Sequence, residues 1–182
     1  MDTILIPIAA GFEETEAVAN IDIFRRAGLK VVTAGVGDKV ITGDHGIRLE
    51  TDTKLSEVDA ADFSAVVLPG GVPGANNLRD SSKLLSVIRT IAENGGLCAA
   101  ICAAPIVLEA AGVLEGKQAT SYPGFGEQMP SANYQEDRVV VDGNLITGRG
   151  PGVSFEFALT VVEYLLDKEQ RHDLEAAMLI KN

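Results

Sequence analysis

Tryptophan is absent from this chain, and 182 residues contain only two cysteines and two histidines. Two cysteines cannot staple a disulfide scaffold, and with so few histidines they supply a zinc cluster poorly, so no metal is expected and a reducing compartment is. Positive charge is also scarce: 15 Lys+Arg stand against 26 Asp+Glu, a formal net charge of -11. That balance leaves no basic footprint for a phosphate backbone and argues against nucleic acid as the principal partner. Long apolar runs are missing, since none approaches the roughly 20 residues that a membrane span requires. The opening MDTILIPIAAG has no basic n-region, carries Asp2 and becomes charged again at Glu13, so it reads as neither signal peptide nor transit sequence. A cytoplasmic protein without membrane contact is expected. Repeats, low-complexity tracts and dividing linkers are absent too, which leaves one domain over 1–182.

What is present is a core: 46% hydrophobic residues with 23% charged exclude a disordered chain. TILIPI at 3–8 reads as a strand, and Ala17, Val18, Ile21, Ile23 and Phe24 follow at helical spacing. That helix ends at Arg25-Arg26-Ala27-Gly28, basic residues over its negative pole before a C-terminal glycine. LKVVTA at 29–34 is the next strand, and the Gly/Asp-rich stretch 36–53 suits a small hairpin. FSAVVLP at 63–69 is a buried strand ending in Gly70-Gly71, with a helix over Leu84–Ile91 stopping at Asn94-Gly95. LCAAICAAPIVLEAAG is strand in its first half and helix in its second. Residues 138–141 and 144–147 form a hairpin turning at Asp142-Gly143, and helices cover about 154–166 and 168–180. Strands alternating with helices imply an α/β fold with a mainly parallel sheet covered on both faces and sites at the carboxyl ends of its strands. Three loops fall there: 10–15, 69–74 and 101–104.

Cys102 lies at a strand-to-helix junction, where a tight turn pushes a side chain out of the sheet toward the positive end of the next helix and a thiolate is favoured. Burial of a small hydrophobe is the alternative for any cysteine. The small neighbours Ala99, Ala100, Ala103 and Ala104 favour the turn. Cys98 belongs to the core; along a strand its Cα lies about 13 Å from that of Cys102, beyond the reach of a disulfide. Backbone amides of Gly71 and Ala103 are candidate oxyanion donors. Glu13, Glu14 and Glu16 open the first helix, where carboxylates complement the dipole; at the mouth of a crevice one of them is a candidate acid-base group. His45 and His172 read as solvated, neither placed to serve Cys102.

GFEETE at 11–16, RRAG at 25–28, LPGG at 68–71, AAICAAP at 99–105 and GRGPGVSFEFAL at 148–159 together resemble the DJ-one/ThiJ/PfpI superfamily, in the branch of the parkinsonism-associated protein deglycase and its bacterial relatives. The resemblance runs through essentially the whole chain in order. It implies a flavodoxin-like three-layer α/β sandwich with Cys102 on a nucleophile elbow, Glu16 hydrogen-bonded to it, and Gly71 and Ala103 as oxyanion donors. It also implies a homodimer, with Ile21, Phe24 and Arg25 at the two-fold interface. Members of this branch often carry His where this chain has Tyr122, and a phenol with an ordinary pKa of about 10 is a poor base at neutral pH, so Tyr122 is assigned to substrate binding. The peptidase-like branch has His directly after the Cys and class I glutamine amidotransferases need a late His-x-Glu; Ala103 and the VSFEFA segment argue against both. The activity implied is a cofactor-independent glyoxalase, of the glyoxalase III or D-lactate dehydratase type, or a protein deglycase, acting on methylglyoxal, glyoxal or glycated adducts. The alternative is a redox-responsive stress protein or chaperone working through oxidation of the same Cys102.

Overall fold

The computed structural model describes residues 3–180; Met1, Asp2, Lys181 and Asn182 lie outside the described residues, and so do those ends of the expected 1–182 domain. Its centre is a run of strands that are apolar on both faces. β1 (Thr3–Ile8), β6 (Ala65–Leu68) and β7 (Leu97–Ile101) bury nearly every side chain, as central strands of a parallel sheet must. β2 (Lys30–Gly35), β5 (Thr53–Lys54), β10 (Val139–Asp142) and β11 (Leu145–Gly148) complete seven strands in the order β10-β11-β7-β6-β1-β2-β5. All neighbours pair in parallel except β10 with β11. The chain goes from β1 outward to β2 and returns to the other side of β1 at β6, so the strand order reverses between them and a crevice opens at their carboxyl ends.

Helices cover both faces. α1 (Glu14–Arg26), α5 (Ser154–Leu165) and α6 (Lys168–Ala177) pack on one side; α2 (Gly74–Arg79), α3 (Ser82–Glu93) and α4 (Pro105–Ala110) pack on the other. The local signals are legible in α3. Ser81 caps it by accepting the Leu84 N–H at 3.3 Å, and Leu84, Val87, Ile88 and Ile91 form the buried stripe at helical spacing. The 36–53 excursion is a hairpin of β3 (Val40–Thr42) and β4 (Arg48–Glu50) standing beside α1. A second short pair, β8 (Gln118–Ala119) with β9 (Asn133–Tyr134), leads to Tyr122.

Three expectations need correction. The β10–β11 hairpin turns at Gly143-Asn144 rather than Asp142-Gly143, because Asp142 still pairs with Leu145. Gly143 takes φ 62° as the first loop residue, where a II′ turn wants glycine, and the Asn144 amide is drawn to the Gly96 carbonyl at 2.9 Å. Gly74, expected as the end of a loop, instead begins α2, over residues 75–79 for which no element was expected; the Gly and two Asn of GANNLR are poor helix formers, and packing on α4 and β1 outweighs propensity. Phe24 is wholly buried inside the protomer and has no surface to give to an interface, while Arg25 turns outward to Asp52 at 3.2 Å. Among the described residues no helix is long and apolar enough to cross a membrane.

Candidate active site

β7 ends at Ile101 and α4 starts at Pro105, so three residues make the reversal. The first residue of that turn is left-handed, and Cys102 supplies it at φ 63°, at a cost of roughly 1–2 kcal/mol for a side-chain-bearing residue. Two backbone hydrogen bonds hold the strained residue: its N–H donates to Gly148 O at 2.9 Å and its carbonyl accepts from Tyr122 N–H at 2.8 Å. Ala103 and Ala104 are buried against the turn, where bulk would not fit. Cys102 retains 8% exposure, against 1% for Cys98, and both are free thiols.

The loops at 10–15 and 69–74, which flank this turn, are tied to each other through their backbones. Glu13 N–H donates to Gly70 O at 3.0 Å, and Gly74 N–H to Gly11 O at 3.0 Å. Gly70 is obligatory at its place, since a Cβ there would lie 2.7 Å from the Cys102 Cβ and 2.9 Å from Glu16 Oε2. Gly71, at φ 92°, would drive a side chain into the Glu13 nitrogen. With no side chain in the way, the Gly71 amide, together with that of Ala103, hydrogen-bonds the Cys102 sulfur. This brings together the two amides expected at that position.

Glu16 enters from the first turn of α1 and is wholly buried. Its Oε2 accepts the Gly70 N–H at 2.7 Å, the carboxyl also interacts with the Cys102 thiol, and Oε1 has no hydrogen-bond partner among the described residues. Burial pushes the Glu16 carboxyl up to about 7; the Gly70 amide and Cys102 pull it back in part, and the nearby Glu13 charge raises it further. Burial, and then the Glu16 charge and hydrogen bond, push the Cys102 thiol up to about 12 despite the Gly71 and Ala103 amides. The thiolate favoured by helix position alone is thus opposed by its surroundings, and α4 has only six residues with which to favour it. The two groups act as one unit whose single proton, above neutral pH, sits on sulfur or on oxygen.

The other candidates arrange themselves around this pair. Tyr122, 47% exposed, is tied to the elbow through its backbone, and its ring lies against Gly150 at the rim. His45 has a side chain 70% exposed, yet it is not merely solvated: its Nδ1 is 2.9 Å from Glu14 Oε2 and its N–H donates to Glu14 Oε1 at 2.8 Å. His172 is exposed on α6. The separate roles of Glu13 and Glu14 escaped the sequence reading. Glu13 is the N-cap of α1, accepting the Glu16 N–H at 2.7 Å, although Ser, Thr, Asp or Asn is the usual cap signal. Glu14 is buried beside Glu16 because the β3–β4 hairpin supplies its donors; that depends on a partner some 31 residues away. Glu13, Glu14 and His45 bring one possible metal-ligand atom each within 4.8 Å of one another. Both carboxylates are already engaged, one as a cap and one by the hairpin.

The model of the DJ-1/PfpI family matches residues 2–164. Protein dj-1beta of Drosophila melanogaster is 42% identical over 97% of the chain and 96% of its own length. Protein DJ-1 homolog A of Arabidopsis thaliana is 42% identical over 98% of the chain, which spans about half (47%) of that relative. The glutathione-independent glyoxalase DJR-1.2 of Caenorhabditis elegans is 34% identical over 89% of the chain and 87% of its own length. Among solved structures, oxidized Toxoplasma gondii DJ-1 superposes with a TM-score of 0.96 at 38% identity, with both chains fully covered. Drosophila DJ-1beta gives 0.95 at 42% identity, covering 100% of this chain and 99% of that one.

Proposed function

The chain belongs to the DJ-1/PfpI family, and from that premise we propose that it is a cofactor-independent glyoxalase acting on methylglyoxal or glyoxal. The observation that carries the reading is the coupled pair itself: a strained, amide-bonded Cys102 sharing a proton with a buried Glu16 that has one unpartnered oxygen. A relative at 34% identity named as a glutathione-independent glyoxalase supports it. Cys102 sulfur adds to the aldehyde carbon while its proton passes to Glu16, giving a hemithioacetal whose developing oxyanion the Gly71 and Ala103 amides stabilise. Glu16, having released that proton to the hemithioacetal oxygen, removes the C1 hydrogen and returns it to C2 through an enediolate, while the C1 hydroxyl proton passes to the C2 oxygen. The product is a thioester of the 2-hydroxy acid, and water cleaves it to lactate and regenerates the thiol. Sulfur, carboxyl and two amides supply every step, so neither metal nor glutathione is called for. Tyr122 packs against the substrate's far end at the rim. Removal of early glycation adducts would use the same groups, as a protein deglycase does.

A second reading is supported by the same amides and by the relative described as oxidized. Peroxide takes Cys102 to a sulfenic and then a sulfinic acid, two oxygen transfers each releasing water, and a sulfinate would accept hydrogen bonds from Gly71, Ala103 and protonated Glu16. In this reading the protein is a redox-responsive stress protein or chaperone. In either case we place it in the cytoplasm as a homodimer, with neither nucleic acid nor membrane as its partner; a small aldehyde is its partner in the first reading. Lactate formation from methylglyoxal by metal-free protein without glutathione decides between them: turnover lost in Cys102→Ser supports the glyoxalase, and no turnover in the wild type refutes it.

A further inference from the structure

The charges around the pair are one-sided. Glu13 is half-buried on the loop that bonds Gly70, next to the glycine whose amide reaches the Cys102 sulfur. Its carboxylate is fixed by the Glu16 N–H at 2.7 Å rather than by a cation. Glu14 lies beside it and exposed Asp44 faces it from the hairpin, with Asp44 N–H donating to Phe12 O at 2.9 Å. Among the described residues no lysine or arginine is bonded to Glu13, Glu16 or Cys102. Among the described residues the nearby group that can carry a positive charge is His45, which bonds Glu14 at 2.9 Å and lies within 4.8 Å of both carboxylates, so one imidazole faces Glu13 and Glu14 together and the cluster stays net negative.

A fixed anion at the mouth of a small site repels anions approaching the sulfur and leaves neutral molecules alone. We propose that Glu13 is a specificity-determining residue that makes the site select uncharged α-oxoaldehydes and reject those bearing a carboxylate or phosphate. The proposal rests on the reading that Cys102 attacks an aldehyde, but it concerns access to the sulfur and not the later proton transfer. Glu13→Gln isolates it, because the amide oxygen can still cap α1 while the charge is gone.

The test is the rate of Cys102 alkylation by iodoacetamide divided by that by iodoacetate, read by peptide mapping and compared with the same ratio for mercaptoethanol. The reagents attack one thiolate at one pH, so any change in its population cancels in the ratio. The ratio at Cys102 is expected to exceed that of mercaptoethanol by about 5-fold, the effect of one unit charge nearby in a partly solvated site, and to fall back toward it in Glu13→Gln. In the wild type it should also shrink on going to about 1 M salt, where the screening length is about 3 Å; this arm stands even if the variant misfolds. A wild-type ratio equal to that of mercaptoethanol, or unchanged by both salt and Glu13→Gln, overturns the proposal. For turnover, para-nitrophenylglyoxal should be preferred over para-carboxyphenylglyoxal, which matches it in size and differs in charge; equal kcat/KM overturns the proposal as well. If neither compound turns over while the alkylation ratio behaves as expected, the glyoxalase reading fails and the charge selection stands.

Discussion

Replacing Glu16 by Gln should make the protein more stable and far less active at once. The carboxyl is raised from 4.5 to about 7 by burial in the fold. A carboxyl raised in the folded state favours folding only while protonated. Below about pH 4.5 it is neutral in both states and costs nothing; between 4.5 and 7 the unfolded chain ionises it while the fold resists, and stability is lost; above 7 the loss is constant. At 1.36 kcal/mol per pH unit, the interval amounts to about 3 kcal/mol at pH 8. Gln removes that penalty and can still accept the Gly70 N–H that now meets Oε2 at 2.7 Å. Urea unfolding of both proteins should therefore give equal free energies near pH 4 and a gap in favour of Glu16→Gln of about 3 kcal/mol at pH 8. Over the same interval aldehyde isomerisation should fall by roughly 10²- to 10⁴-fold, since an amide cannot move a proton between substrate carbons. Alkylation of Cys102 should persist, because loss of the neighbouring negative charge lowers its pKa. A gap that does not vary with pH, or a Glu16→Gln protein that keeps wild-type turnover, would refute the reasoning.

Brief iodoacetamide treatment at neutral pH should label Cys102 and not Cys98, which is buried in the core at 1% exposure against 8% for Cys102; dominant labelling of Cys98 in the peptide map would overturn the elbow assignment. Cys102→Ser should abolish lactate formation with an unchanged circular dichroism spectrum. Gly70→Ala places a methyl between Cys102 and Glu16, so it should cost about 1–3 kcal/mol in chemical unfolding and lose turnover; an active, fully stable variant would contradict the close approach. Light scattering at micromolar concentration should give a dimer mass, and a clean monomer would sink that assignment.

The sheet was legible because its central strands are apolar on both faces; the runs at 3–8 and 63–69 and the first half of 97–112 each enclose the strand observed. Cys102 was legible too, since small residues on both sides of a strand-to-helix junction leave few other conformations. Less local features were hidden. α2 forms from GANNLR against local propensity, through contacts with distant elements. The division of labour among three neighbouring glutamates depends on which face of α1 meets the Gly70 amide and which meets the hairpin carrying His45, and helical spacing alone does not say. Gly70 as the donor to Glu16, with Gly71 as the donor to sulfur, distinguishes two adjacent glycines that are identical as letters.

The elbow is held by main-chain bonds from Cys102 to Gly148 and from Tyr122 to Cys102, and the two loops beside it are joined to each other the same way, Glu13 to Gly70 and Gly74 to Gly11. A frame of this kind is indifferent to most of the side chains it carries. Apart from the glycines, residues at the rim can be exchanged without displacing the nucleophile, so a new substrate preference requires changes at a few exposed positions such as Tyr122 and not a rebuilt catalytic centre. Libraries randomised at the rim should therefore retain a large fraction of folded members with a reactive thiol, and this makes the scaffold a favourable starting point for selecting activity on other carbonyl compounds.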